Sequence, residues 1–284
     1  MAKDTFLNRK VTLNSRGKLI VLDQPSVMAI LNLTPDSFYK NSRTEGLDEV
    51  LKKVSNFIEV GAKFIDLGAY SSRPGAADIS ETEELQRLIP AIKTIAKEFP
   101  EALLSVDTFR ATVAKAAVEA GAHLINDISG GSLDEKMYET VASLNVPYIM
   151  MHMKGNPQNM QDNPYYENVS AEVLDYFINR TKTAHQVGIK DIIIDPGFGF
   201  AKNISHNYEL LKRLELLNIL ELPVLVGFSR KSMITKALNI TTNEALNGTT
   251  VLNTIALMKG ASILRVHDVK EAVECIKLVN RLDC

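Results

Sequence analysis

Ile192-Ile-Ile-Asp-Pro-Gly-Phe-Gly-Phe200 reads as a buried strand and the loop that ends it. Its first residues are continuously apolar rather than alternating, which is the pattern of a strand covered on both faces and hence of a parallel sheet. The run ends on a carboxylate and a Pro-Gly turn, so the strand presents a polar group at its carboxyl end. Seven other stretches repeat this grammar: Val27–Leu31 before Asn32, Phe64–Leu67 before Ser71-Ser-Arg73, Leu103–Val106 before Asp107, His123–Ile125 before Asn126, Tyr148–Met151 before His152, Val224–Gly227 before Ser229-Arg-Lys231, and Ser262–Leu264 before Arg265 and His267. Eight such runs predict an α/β chain folded as a parallel eight-stranded (β/α)8, or TIM, barrel. In that fold every polar tip lies on the carboxyl-end face, where the chemistry is placed.

The intervening stretches support the alternation. Ser80-Glu-Thr-Glu83 and Thr241-Thr-Asn-Glu244 have the form of capping boxes, and Asp268-Val-Lys-Glu271 places Asp as the cap. Phe109, Val113, Ala117 and Ala120 share the spacing of one helix face. No linker or low-complexity tract divides the chain, which predicts a single domain over 1–284. The segment 1–25, containing Lys18-Leu-Ile-Val-Leu22, reads as an N-terminal extension whose hairpin or strand closes the barrel's bottom.

Composition narrows the class. At 284 residues and 45% hydrophobic content there is ample material for one large core. A net charge of −2 removes the electrostatic case for nucleic-acid binding. Cys275 and Cys284 cannot frame a disulfide scaffold, which points to a reducing cytoplasm. No stretch reaches the roughly 18 apolar residues of a membrane span, and the first residues carry no apolar leader.

The tips carry distinctive chemistry. In Asn32-Leu-Thr-Pro-Asp-Ser-Phe38, Pro35 stops the strand, leaving Asn32 at its tip and Asp36 and Phe38 on a loop. Ala69-Tyr-Ser-Ser-Arg-Pro-Gly-Ala76 combines hydroxyls with a guanidinium, which suits an anion or a planar carboxylate. Asp107, Asn126 and Asp195 follow runs that should be deeply buried, so they need donors. An amino-pyrimidine edge would supply them, although each residue alone also reads as a cap for the next helix. Ser229-Arg-Lys-Ser232 follows the seventh run, where such barrels often bind phosphate, and Arg265 with His267 adds a second cationic pair. The glycines of the Asp195–Phe200 loop permit close ligand approach, and Phe38 and Phe200 ride on loops expected to be flexible. His152 reads as a core histidine beneath the site. The roles of Lys154, Tyr165 and Tyr166 stay open. The whole combination fits transfer of a heterocyclic group away from a phosphate or diphosphate.

In order along the chain, Asn32-Leu-Thr-Pro-Asp-Ser-Phe38, Ser72-Arg-Pro-Gly75, Ser105-Val-Asp-Thr108, Ile125-Asn-Asp-Ile-Ser-Gly-Gly131, Met151-His-Met-Lys-Gly-Asn-Pro157, Met160-Gln161, Asp195-Pro-Gly197, Ser229-Arg-Lys-Ser232 and Arg265-Val-His-Asp268 resemble the dihydropteroate synthase family of pterin-binding barrels. The resemblance implies a folate-biosynthesis transferase that joins 6-hydroxymethyl-7,8-dihydropterin diphosphate to 4-aminobenzoate. It implies that Asp107, Asn126, Asp195 and Lys231 read the pterin edge while Arg265 stacks on the ring. Asn32 would help hold Mg²⁺ on the diphosphate, and Arg73 and His267 would bind its oxygens. Ser72, Pro74, Phe38, Phe200 and Ser232 would shape the aminobenzoate pocket, where sulfonamides also bind. Asp36, on a closing first loop, would stabilise a pterin cation. A homodimer built on the later helices is implied as well.

Two departures from the family pattern stand out. Tyr70-Ser-Ser-Arg-Pro replaces the usual Glu-Ser-Thr-Arg-Pro, so Ser72 carries the hydroxyl expected of a threonine, and Tyr39-Lys-Asn-Ser-Arg43 replaces the usual Asp-Gly-Gly run. A methyltetrahydrofolate methyltransferase barrel would share the acidic floor but has no need of the Ser229-Arg-Lys231 and Arg265/His267 cations. A non-catalytic pterin-binding paralogue should have lost part of that cationic set or Asn32.

Overall fold

The computed structural model describes residues 10–33, 43–70, 79–155 and 164–283. Each apolar run named above forms a strand. They are β3 (Ser26–Asn32), β4 (Phe64–Gly68), β5 (Leu103–Asp107), β6 (Leu124–Asp127), β7 (Tyr148–Met151), β8 (Ile192–Asp195), β9 (Leu225–Val226) and β10 (Ile263–Val266), preceded by the pair β1 (Val11–Ser15) and β2 (Lys18–Leu22). The eight pair in parallel in the order β8-β7-β6-β5-β4-β3-β10-β9. A parallel bridge between Ile194 and Val224, with the Ile194 N–H donating to Pro223 at 3.0 Å, joins the two end strands and closes the barrel. The main helices that follow the strands are α1 (Arg43–Glu59), α2 (Glu81–Glu98), α3 (Ala111–Ala120), α4 (Met137–Leu144), α5 (Val169–Val187), α6 (Ile204–Lys212), α7 (Ser232–Leu238), α8 (Leu246–Met258) and α9 (Val269–Val279).

Side-chain alternation divides each strand between two cores. Outward residues such as Val27, Leu31, Ile65, Val106, Ile194 and Leu264 pack under the helices in one continuous cluster. Inward residues at the amino ends, Met28, Phe64, Leu103, Leu124, Ile149, Ile193, Leu225 and Ile263, form a second, wholly apolar layer across the barrel's bottom. Leu13, Ile20 and Leu22 complete that layer, so the N-terminal hairpin is the bottom plug expected from the sequence. Its turn is Arg16-Gly17, both with positive φ (53° and 93°), which matches the twist that a two-residue hairpin needs. Leu19 and Val21 alternate outward and are exposed.

Two residues further up the same inward faces stand Asp66, Ser105, Asn126, Asp195 and Arg265, and in register above them Asn32, Gly68 and Asp107. The barrel is thus greasy at its base and ionic at its mouth. Of the helix starts read from the sequence, Ser80 caps α2 by accepting from the Glu83 N–H at 3.2 Å, and Thr241 with Glu244 closes a reciprocal box. Asp268 precedes α9 without a side-chain cap bond, because its carboxylate is taken by Arg230.

Candidate active site

The floor of the mouth is a charge network between four strands. Arg265, from β10, donates through Nε to Asp66 at 2.6 Å and through Nη2 to Asp107 at 2.7 Å. Asn126 donates its Nδ2 to the same Asp66 oxygen at 2.9 Å. Asp66 is 0% exposed and was not among the residues singled out from sequence. The available signal was parity, since it shares the inward face of β4 with Phe64 yet breaks the apolar run. Burial pushes the Asp107 carboxyl up to about 7 against the pull of Arg265. Burial also works against the Arg265 charge, but Asp66 and Asp107 together hold the guanidinium above its ordinary range.

Asp195 ends β8 and is buried. Burial raises its carboxyl, opposed by Lys231 and by the Gly197 N–H, which donates to Oδ1 at 2.8 Å. Lys231 reaches over from the loop after β9, donates to Phe198 O at 2.5 Å, and lies 4.7 Å from the Phe200 ring centroid. Burial lowers its ammonium to about 8, with Asp195 working the other way. Gly199 permits this approach, because a Cβ there would sit 3.1 Å from Lys231 Cδ. The segment carrying Phe200 is therefore tied down rather than loose. Phe198 is fully buried against Phe228, with centroids 4.5 Å apart.

Ser229-Arg-Lys-Ser232 does not present two cations to the mouth as expected. Arg230 adopts a positive φ of 55° and turns to Asp268, with bidentate bonds of 2.9 and 2.8 Å. Ser229 Oγ accepts the His267 N–H at 3.2 Å, which joins the loop after β9 to the end of β10. Lys231 faces Asp195, half-buried His267 follows β10, and exposed Ser232 opens α7.

Asn32 ends β3 beside Gly68. A Cβ on Gly68 would lie 3.9 Å from Asn32 Oδ1 and 3.8 Å from Asp107 Oδ2, so the glycine keeps the space before both oxygens open. Among the described residues no group of three or more His, Cys, Asp or Glu could hold a metal by itself. One exposed amide oxygen instead suits an ion such as Mg²⁺, which keeps waters and is bound largely through substrate phosphates.

Asp36, Phe38, Ser72, Arg73 and Pro74 lie outside the described residues. On either side of 71–78, Arg87 donates to Ala69 O at 3.2 Å and Arg110 to Ile79 O at 2.8 Å. Arg110 also pairs with buried Glu84. Tyr70, at the position where Glu is usual, meets Phe109 edge-on at 5.1 Å and lies under Arg110.

His152 is the buried histidine expected, 3% exposed. Lys154 pairs with Glu172 at 2.6 Å and lies 3.8 Å from the Tyr166 centroid. The mouth thus offers acceptors, donors and a fixed guanidinium within one ring of strand ends. It offers no nucleophile–base pair among the described residues.

The chain is similar to known proteins over most of its length. Residues 28–267 match the family model for pterin binding enzymes. The chain is 47% identical over 268 residues to the dihydropteroate synthase of Escherichia coli K12, covering 93% of this chain and 94% of that protein. It is 42% identical to the Haemophilus influenzae dihydropteroate synthase, covering 94% and 97%. Among solved structures, Yersinia pestis dihydropteroate synthase in a sulfonamide drug complex superposes with a TM-score of 0.89 at 42% identity, covering 96% and 99%. The Xanthomonas albilineans dihydropteroate synthase with 4-aminobenzoic acid gives 0.89 at 36% identity, covering 97% and 99%.

Proposed function

The chain belongs to the pterin binding enzyme family, and from that membership we infer that it is a transferase with dihydropteroate synthase activity, joining 6-hydroxymethyl-7,8-dihydropterin diphosphate to 4-aminobenzoate and releasing diphosphate in folate biosynthesis. The observation that carries the reading at the level of the site is the meeting of Asp107, Asn126, Asp195 and Arg265 from four strands, with Lys231 from the loop after β9, at one buried mouth. Asp195 and Asp107 accept from the amino-pyrimidine edge, and Asn126 and Lys231 serve its remaining atoms. Arg265, held in place by Asp66 and Asp107, offers a flat cationic surface to the ring face.

The bond between the exocyclic methylene and the diphosphate oxygen breaks first. The ring nitrogens feed electrons into the methylene carbon, and the amine of 4-aminobenzoate then forms the new C–N bond and loses a proton to solvent. That order needs no protein nucleophile. Asp36 stabilises the developing cation, and Arg73 and His267 take the charge of the leaving diphosphate. Ser72, Pro74, Phe38, Phe200 and Ser232 shape the pocket for the aminobenzoate or a competing sulfonamide. Asn32 would hold Mg²⁺, which when bound supplies charge neutralisation to the leaving group.

A homodimer is supported by the exposed apolar row Val251, Ile255 and Met258 on α8, with Leu278 and Leu282 also exposed later in the chain. No helix among the described residues is long and apolar enough to cross a membrane, and buried Cys275 is a free thiol, which suits a reducing cytoplasm. The Mg²⁺ assignment is tested by titrating Mg²⁺ against diphosphate release. Asn32→Ala is expected to raise the Mg²⁺ concentration at half-maximal rate by about tenfold or more, and an unchanged requirement would remove Asn32 from the metal.

A further inference from the structure

The backbone from Asp195 to Lys202 is wound tightly, with positive φ at Gly197 (69°), Gly199 (81°) and Ala201 (47°). Such a path cannot pair its carbonyls in a sheet or helix, so the buried ones must find other donors. Two lysines supply most of them, from opposite sides. Lys231 takes Phe198 O on the mouth side. Lys202, only 3% exposed, points under the loop and donates to Gly197 O at 3.1 Å and Phe200 O at 3.1 Å. Its remaining N–H meets His152 Nδ1 at 3.0 Å, just past the end of β7.

The seam between loop and strand is close. The His152 N–H donates to Asp195 O at 2.9 Å, and a Cβ on Gly197 would come within 2.1 Å of His152 O. Burial together with Lys202 and Lys154 keeps the His152 imidazole neutral, well below its ordinary range, so Nδ1 is free to accept when the ring proton is on Nε2. Tyr166 donates to Ala201 O at 2.9 Å, and Asn207 accepts the Gly199 N–H at 2.7 Å.

Burying an ammonium costs several kcal/mol unless its donors are all satisfied. Burial lowers the Lys202 ammonium to about 7 against the pull of Asp195, and each N–H it carries has an acceptor, two of them on the segment that carries Asp195 and Phe200 and one on the neighbouring strand end. We propose that Lys202, seated on His152, is a positioning residue for the dihydropterin: it pegs the Asp195–Phe200 loop from beneath and thereby sets the Asp195 carboxylate and the Phe198 carbonyl that holds Lys231. The proposal rests on the reading of Asp195 and Lys231 as pterin contacts. Lys202 touches no substrate itself and acts through those two groups.

The test is calorimetric titration of the purified full chain with 6-hydroxymethyl-7,8-dihydropterin diphosphate and Mg²⁺, alongside steady-state kinetics for both substrates. Lys202→Met keeps the stem and removes the donors. It is expected to raise the dissociation constant for the pterin diphosphate by about tenfold or more, with a clearly smaller rise in the KM for 4-aminobenzoate at saturating pterin diphosphate, because Phe200 rides on the same loop. His152→Leu, which leaves the lysine its two carbonyls, is expected to act in the same direction and more weakly. It decides the matter if the methionine variant does not fold. Unchanged pterin affinity in a folded variant, or an equal loss for both substrates, would overturn the positioning role. Asp195→Asn run in parallel separates the two levels, since unchanged pterin affinity in that variant would overturn the floor reading itself.

Discussion

Arg265 and Asp66 stand 199 residues apart in the chain and 2.6 Å apart inside the barrel. The pair joins β10 to β4 across the intervening β3, and Arg265 continues to Asp107 on β5, so one guanidinium ties the first half of the barrel to its last strand. Removing Asp66 takes the buried acceptor from both Arg265 Nε and Asn126 Nδ2 and leaves Asp107 alone to balance the guanidinium. Asp66→Ala is expected to lower stability by about 3–5 kcal/mol, read as a shifted midpoint in urea, and to weaken pterin binding through the loosened Arg265. A variant of wild-type stability would show that Arg265 is held by Asp107 alone.

Strand tips were legible because a strand buried on both faces is apolar throughout, and the first polar residue after it marks the mouth. Asn32, Asp107, Asn126, Asp195 and Arg265 all follow that rule. Asp66 does not, because it lies within its strand between Ile65 and Leu67 and only its inward parity marks it. Arg230 and Lys231 are indistinguishable as cations in sequence. The positive φ at Arg230 sends its side chain to Asp268, which also explains why Asp268 makes no cap. Lys202 was invisible for another reason. Two of its acceptors are backbone carbonyls and the third is 50 residues away.

The ionisable floor predicts a narrow pH optimum. Asp107, raised to about 7, loses its negative charge as pH falls through that value, and raised Asp195 acts in the same sense. Lys231, lowered to about 8, loses its proton as pH rises through that value, and Lys202 beneath Asp195, lowered to about 7, deepens the fall on the same alkaline side. The form with both carboxylates ionised and the ammonium charged is therefore most populated between about 7 and 8. A profile of kcat/KM for the pterin diphosphate should fall on both sides. A flat profile from pH 6 to 9 would contradict this assignment.

Arg230 should matter to stability and not to substrate. Its bidentate bond to Asp268 is partly shielded from water, and Arg230→Ala is expected to cost about 1.5–3 kcal/mol while leaving the dissociation constant for the pterin diphosphate within about twofold. Thermal unfolding and calorimetry on the same preparation measure both. A large loss of affinity at wild-type stability would return Arg230 to the mouth.

The bottom plug should behave likewise. Leu13 is 1% exposed within the apolar layer formed by Met28, Phe64 and Ile193. Leu13→Ala is expected to cost about 2–5 kcal/mol without changing KM for either substrate, since that face of the barrel carries stability rather than chemistry. Chemical denaturation with parallel kinetics checks the separation, and a raised KM would show that the two faces are coupled.

Purified protein supplied with Mg²⁺ and 6-hydroxymethyl-7,8-dihydropterin diphosphate, with and without 4-aminobenzoate, should release diphosphate and form a product of 7,8-dihydropteroate mass only when the amine is present. Lys231→Ala should abolish that product. Tight pterin binding with no aminobenzoate-dependent product would contradict the transferase reading and leave a barrel that binds pterin without turning it over.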